Sequence, residues 1–385
     1  MLAMNADTDM TTLMAARVRD AADAGTPLRI RGGGSKDFYG QSLTGEVLDM
    51  SGFAGVISYE PSELVVTVRA GTPLAELESL LAEQGQCLPF EPPHFGPNAT
   101  VGGMVASGLN GPARASSGAV RDYLLGVVLL NGKGECLTFG GQVMKNVAGY
   151  DVSRLMAGAL GTLGVLLEVS LKVLPVAPAE VTLMCSLPQQ QALDLLNRWG
   201  GQPLPLNASC WVHDDSANPT HDFLFVRLRG AVAAVGAACP RMMADVQSQG
   251  GQALRMDNAQ AGADWIACRE QSLPFFTQPP FAGACLWRLS VPQTTPALEL
   301  PYAQLIEWHG GLRWLWAPAS AAPQLRQAAQ QAGGHATLFR RCAQTPADLP
   351  VFTPLSPVQS RIQRELKKQF DPAGVFNPGR MSTHW

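Results

Sequence analysis

The 385-residue sequence is short of charge: Asp, Glu, Lys and Arg make up 15%, against 46% apolar residues. That balance excludes a disordered chain and points to extensive burial, in a large core or beneath a partner subunit. A basic excess is missing too. With a net charge of −3 and a pI near 6.1, no field exists to hold nucleic acid, and no nucleic-acid partner is expected. The closest of the eight cysteines, Cys268 and Cys285, are 17 residues apart. Zinc and iron–sulfur ligand spacings are therefore absent, no metal site is expected, and the thiols read as buried and free. The charge-free stretch Leu155–Leu167 carries three glycines and is shorter than the ~20 residues of a membrane span. The N-terminus has neither the basic nor the apolar region of a secretory signal. The expectation is a cytoplasmic protein without a membrane span, any association with the inner membrane being peripheral and made through a complex.

Glycine, by contrast, is concentrated. Fourteen of 39 fall between Thr100 and Val165, about twice the density of the whole chain. Strand-like runs separate them (Tyr123–Leu130, Glu135–Phe139, Val165–Val173), so they mark turns, or places where backbone must approach something closely. Ahead of them lies Ile30-Arg-Gly-Gly-Gly-Ser-Lys36. A strand entering three glycines and a serine reads either as a flexible surface turn or as a nest of N–H groups for an anion such as a pyrophosphate. It is not a Walker A loop, which would end in Gly-Lys-Ser/Thr. Nor is it a Rossmann fingerprint, because Asp37 stands at the third glycine's place. With Pro97–Gly108 it supplies two loops able to grip the halves of a dinucleotide. Gly158–Gly164 reads as a third contact or as a tight helix–strand junction.

At this length two domains are the natural expectation. Helices are expected over Thr12–Ala24, over the stretch to Gly85 with Thr72 as N-cap and Pro73 at its first position, and over Gln189–Trp199, Ala231–Gln249, Gln324–Ala332 and Ser360–Phe370. Leu28–Arg31, Leu64–Arg69, His221–Arg229, Cys285–Val291 and Arg313–Trp316 read as strands. Composition shifts after Pro175, and a smaller α+β cap is expected beyond it.

The order RGGGSK, TVGGMVASGLNG, RDYLLGVVLLNGKGE, GTLGVLLEVSLKVLP and FDPAGVFNPGR resembles the vanillyl-alcohol-oxidase-type flavoproteins, which carry a PCMH-type FAD-binding domain. The likeness covers about residues 10–175 and the tail, and the cap matches loosely. Within that family, MKNVAGYDVSRLMAGALGTLG and the modest length are most similar to the FAD-binding subunits of glycolate oxidases. The resemblance implies an α+β fold. Residues 1–176 would form the FAD-binding domain from two α+β subdomains, residues 177–345 the cap, and residues 346–385 a helix and tail returning to the FAD domain. It implies that Arg31, Gly32, Gly33, Gly34, Ser35 and Lys36 hold the FAD pyrophosphate. Pro97, Asn98, Thr100, Val101, Gly102 and Gly103 would line the flavin and phosphate region. Ser107, Gly108 and Asn110 would pass beneath the isoalloxazine, and Gly161, Thr162, Gly164 and Val165 would meet the adenosine part.

Departures from the family carry information. Members with covalent FAD place a histidine where Lys36 and Asp37 stand, so non-covalent FAD is expected. Leu160 replaces the usual Glu before Gly-Thr-Leu-Gly, and Ser117-Gly118 replaces Tyr-Gly. Larger 2-hydroxy-acid dehydrogenases carry H-x-G-D-G-N-x-H in the cap; here His309-Gly-Gly-Leu-Arg313 is at best a remnant, or else part of a packed Trp-rich strand. Arg114, Arg121, Lys145, Tyr150, Asp151 and His94 are polar candidates, and none is assigned a catalytic role. The function implied is the FAD-binding subunit of a glycolate (2-hydroxy acid) oxidase complex. It would oxidise glycolate to glyoxylate and pass electrons through flavin to an iron–sulfur subunit, beside a larger homologous flavoprotein subunit. The alternative is a flavin-holding, non-catalytic electron-relay partner of that larger subunit.

Overall fold

The computed structural model describes residues 2–41, 43–141, 151–214 and 221–382; Lys145 and Tyr150 lie outside them. The first helix, Leu2–Ala24, stops before Gly25 and Pro27. It buries Met14, Ala15, Val18 and Ala21, one face of a 3.6-residue period. That face packs on the parallel strand pair Leu28–Arg31 and Glu46–Asp49, and on Val375 and Phe376 from the tail.

A five-stranded antiparallel sheet follows, ordered Val56–Glu60, Val65–Arg69, Val165–Lys172, Leu124–Leu130, Cys136–Gly140. Helix Leu74–Glu83 lays Leu74, Leu77 and Leu81 on it, joined by Met104 and Val105 of helix Val101–Ser107. The longer helix starts one residue later than the sequence suggests, with Pro73 outside it. Thr72 is fully buried and does not cap: its hydroxyl donates to the Arg69 carbonyl (2.7 Å) and accepts from the Gly55 N–H (3.0 Å). Those partners satisfy strand ends that would otherwise be buried and unpaired.

Beyond Pro175 an eight-stranded antiparallel sheet runs Gln252–Arg255, Ala179–Ser186, His221–Gly230, Leu206–Asp214, Gln304–Glu307, Leu312–Ala317, Cys285–Ser290, His335–Arg340. Helices Gln189–Gly200, Val232–Ser248 and Ala322–Gln331 cover one face. The other face turns to the N-terminal part of the chain. Strand alternation sorts the residues. Leu315 and Ala317 pack under the helices, while Leu312, Trp314 and Trp316 join a cluster that includes Tyr39, Leu109 and Leu160.

Charge ties the eight-stranded sheet to the chain that precedes it. Glu91, held at φ 48°, accepts from Arg227 (2.7 Å), Arg229 (3.0 Å) and the Ala113 N–H (3.1 Å). Burial alone would raise its pKa, but the two guanidinium groups hold it below the ordinary value. Trp308 donates to the Gly111 carbonyl at 2.9 Å beside them.

The last helix, Pro357–Phe370, opens with a Ser356–Gln359 capping box. Its last turn carries Lys367, whose buried ammonium donates to Asp371 (2.6 Å) and to the carbonyls of Thr162 (2.7 Å) and Phe376 (2.8 Å). The tail then returns to the first strand pair, where the Asn377 N–H donates to the Leu28 carbonyl.

Candidate functional site

Strand Leu28–Arg31 delivers Gly32–Lys36 to a cleft whose other walls are residues 100–107 and 159–166. Local chemistry forces the glycines. A Cβ on Gly33 would stand 1.3 Å from the Asn98 carbonyl oxygen, so the first loop lies backbone-to-backbone on the second. Thr100 caps helix Val101–Ser107, its hydroxyl accepting from the Gly103 N–H at 3.2 Å. That helix ends at Gly108 (φ 62°), where a Cβ would meet the Gly158 Cα at 2.8 Å. No backbone N–H of residues 32–35 donates to a carbonyl among the described residues. Such a row of unspent donors suits an anion.

The lip of the cleft is cationic. Arg29 and Arg31 both donate to Asp37, at 2.5 and 3.1 Å. Arg380 donates to the carbonyls of Lys36 and Asp37. Burial lowers its pKa to about 10, which leaves it charged at neutral pH. Burial also brings Lys36 down to about 8, partly opposed by Glu270, and its ammonium donates to the His94 carbonyl at 3.0 Å. The fit to FAD is therefore good: unspent amides and cations for a pyrophosphate, and apolar walls (Met50, Ala70, Met156, Leu163, Leu166) for rings.

Of the residues expected at the cofactor, Arg31, Gly32, Gly33, Gly34, Ser35, Lys36, Thr100, Gly102, Gly103, Ser107, Gly161 and Gly164 line this one cleft. The others stand behind or beside it. Val101 and Val165 are fully buried core. Thr162 donates its hydroxyl to the Ala159 carbonyl and offers its own carbonyl to Lys367. Pro97 and Asn98 are exposed in the loop against Gly33. Gly108 terminates the helix, and Asn110 bridges the Gly108 carbonyl and the Val120 N–H. Sequence reasoning passed over Asn377 as a cleft residue. Its amide accepts from the Ile30 N–H (2.9 Å) and donates to the Leu160 carbonyl (2.7 Å), tying two cleft walls together. The Asn-Pro-Gly triplet at 377–379, a turn signature, was the available signal, and the turn holds Asn377 at φ 41°.

The remaining candidates take structural places. His309 lies between Ser209 (3.0 Å) and Ser116 (2.8 Å), and burial lowers its pKa to about 4. Arg313 points to the helix-covered side, donating to the Gly310 and Thr295 carbonyls. His94 pairs with Glu78 at 2.9 Å. Arg114 stacks on Trp308 at 4.5 Å, and Asp122 accepts from the Ala119 N–H. Asp151 pairs with Arg154 at 2.8 Å, and Arg121 is exposed. No group of three or more His, Cys, Asp or Glu among the described residues is arranged to hold a metal ion. No helix among them is long and apolar enough to cross a membrane, and the eight cysteines are free thiols.

Comparisons with known proteins agree with this geometry. Residues 11–140 match the FAD binding domain family. The chain is 45% identical over 373 residues to glycolate oxidase subunit GlcE of Escherichia coli, covering 97% of each. It is 31% identical over 159 residues to the mitochondrial D-lactate dehydrogenase (cytochrome) of Arabidopsis thaliana, 40% of this chain and 28% of that protein. With glycolate oxidase subunit GlcD of Bacillus subtilis it shares 29% over 160 residues, 41% of this chain and 34% of that one. The fold is shared with alkyldihydroxyacetonephosphate synthase at TM-score 0.67 and 15% identity, over 94% of this chain and 73% of that one. The chain belongs to the family of glycolate oxidase subunit GlcE, FAD-dependent oxidoreductase subunits of α+β fold with a PCMH-type FAD-binding domain.

Proposed function

We propose that this chain is the FAD-holding subunit of a complex that oxidises glycolate to glyoxylate and hands the electrons to an iron–sulfur partner subunit, beside a larger homologous flavoprotein. The row of unspent amides over residues 32–35, facing Arg31, Lys36 and Arg380, carries the reading. Arg31 and residues 32–36 hold the pyrophosphate without a covalent bond. Residues 97–103 and 107–110 flank the flavin, and Gly161, Thr162, Gly164 and Val165 back the adenosine part. Bound there, FAD supplies a two-electron acceptor. The protein orients it, keeps water from its buried edge through Met156, Leu163 and Leu166, and places cations beside its phosphates. The complex works in the cytoplasm or peripherally at the inner membrane. The domains proposed are 1–176 for FAD, 177–345 for the cap, and 346–385 for the returning tail.

The missing histidine pair in the cap favours a second reading, in which the chain relays electrons and the larger subunit oxidises the acid. Anaerobic glycolate added to the flavin-containing chain separates the two. Bleaching near ~450 nm, the band of oxidised flavin, is expected; an unchanged spectrum, with bleaching only when the larger subunit is present, makes this chain the relay.

A further inference from the structure

Two thiols outside the FAD cleft stand in contact. Where strand Cys285–Ser290 pairs with the edge strand His335–Arg340, the last matched residues are Leu286 and Arg340. Cys285 lies one residue before Leu286 and Cys342 two beyond Arg340, so both reach the same end of the ladder. A register shift leaves Phe339 unmatched just inside it, which bends the edge strand. The Cys285 thiol donates to the Cys342 sulfur at 3.2 Å, although 57 residues separate the two. A disulfide needs about 1 Å of further approach, to ~2.05 Å, within reach of side-chain motion.

The two sulfurs are not equivalent. Cys285 is fully buried beneath helix Ala322–Gln331, whereas Cys342 is partly exposed on the connector that follows the edge strand. Thr345 serves both. Its hydroxyl oxygen accepts from the Cys342 N–H (3.0 Å) and lies 3.4 Å from the Cys342 sulfur and 3.3 Å from that of Cys285. Hydrogen bonds from Thr345 and Cys285 hold the Cys342 thiol below its ordinary pKa, which favours the reactive thiolate. Burial pushes Cys285 the other way. Other thiols lack this setting. Burial pushes up Cys87, Cys136 and Cys185, and Cys268 rises beside Cys210 and the Glu307 carboxylate, closed to solvent.

We propose that Cys342 and Cys285 form a peroxide-responsive pair: exposed Cys342 takes the oxidant, and buried Cys285 closes a reversible disulfide that staples the connector to the eight-stranded sheet. The proposal is independent of the glycolate-oxidising reading. Its chemistry balances. The Cys342 thiolate attacks one oxygen of a peroxide; the S–O bond forms, the O–O bond breaks, and hydroxide leaves as water after taking a proton from solvent. The Cys285 sulfur then attacks the sulfenic sulfur of Cys342. The S–S bond forms, the S–O bond breaks, and the departing hydroxyl takes the Cys285 proton as a second water. Two thiols are oxidised by two electrons, and one peroxide is reduced to two waters.

The connector already has an anchor at its far end. The Gln41 amide donates to the Leu349 carbonyl (3.1 Å) and accepts from the Val351 N–H (2.7 Å). The disulfide adds a covalent anchor at the near end and removes freedom from the unfolded chain.

The test uses the full chain with its flavin, reduced, freed of reductant and treated anaerobically with one equivalent of hydrogen peroxide. Wild type should lose two of its eight free thiols, a peptide map should join Cys285 to Cys342, and dithiothreitol should restore both. Cys285→Ala should stop at a Cys342 sulfenic acid that dimedone captures. Cys342→Ser, a change at the partly exposed end, should leave Cys285 unreacted. Thr345→Val should slow disulfide formation by about tenfold. Oxidised wild type should melt about 3–8 °C above the reduced chain, a difference absent from Cys342→Ser. Eight thiols surviving the peroxide, or oxidation mapped to other cysteines while Cys285 and Cys342 stay reduced, overturns the pair. A Cys285–Cys342 disulfide that leaves the melting temperature unchanged overturns the staple.

Discussion

Lys367 shows how much one residue holds. Three acceptors converge on its ammonium, one of them the carboxylate of Asp371, which is itself fully buried. Burial lowers the lysine's pKa, and Asp371 opposes that shift. Lys367→Met should therefore cost about 3–5 kcal/mol, the usual effect of leaving one buried charge unpaired. Urea denaturation reads the loss, and Asp371→Asn in the same chain should recover part of it. His309 carries a pH signature instead. With its pKa at about 4 when folded, the unfolded chain takes up a proton that the native chain refuses. The stability this contributes is complete above pH 6.5 and is lost as the pH falls toward 4, by up to about 3 kcal/mol. Glu307, raised to about 7, works in the opposite sense, so wild type alone blurs the effect. The difference in stability between wild type and His309→Gln, followed from pH 7 to pH 4, isolates it: the variant should gain steadily on wild type as acid is added.

Among the elements, the glycine loops were the most legible part of the sequence because their constraint is local. Backbone can lie on backbone only where no Cβ intervenes, as at Gly33 against Asn98. Helix Leu74–Glu83 was legible from its period, though not its first residue, because Thr72 serves strand ends that no local pattern reveals. The sheet order and the Lys367 lock were illegible for one shared reason. Each depends on which face of a strand or helix meets a distant segment, and Cys285–Ser290 reads simply as an apolar strand with one arginine. A glycine without such crowding should behave in the opposite way to Gly33. Gly236, within helix Val232–Ser248, has nothing within 4 Å of an added Cβ, so Gly236→Ala should stabilise by about 0.5–1 kcal/mol. Calorimetry checks it, and a loss of stability would show the site to be constrained by something other than space.

At the scale of the whole molecule, the cap is placed by Glu91 with Arg227 and Arg229, and by the Trp-rich sheet face closing over residues 109–112. Glu91→Ala leaves Arg227 and Arg229, both on strand His221–Gly230, turned to the seam without the carboxylate they share, Arg229 keeping Glu180. It should cost about 3 kcal/mol and split a single thermal transition into two. The proposed chemistry depends throughout on the loops at 32–36 and 97–103 holding FAD together. Flavin content of the purified full-length chain tests this most directly, read as absorbance near ~450 nm per mole of protein in wild type and in Gly33→Val. Wild type should carry near-stoichiometric, non-covalent flavin, released on denaturation, and the variant should be colourless with a folded cap. A Gly33→Val protein as yellow as wild type, or a colourless folded wild type, would contradict it.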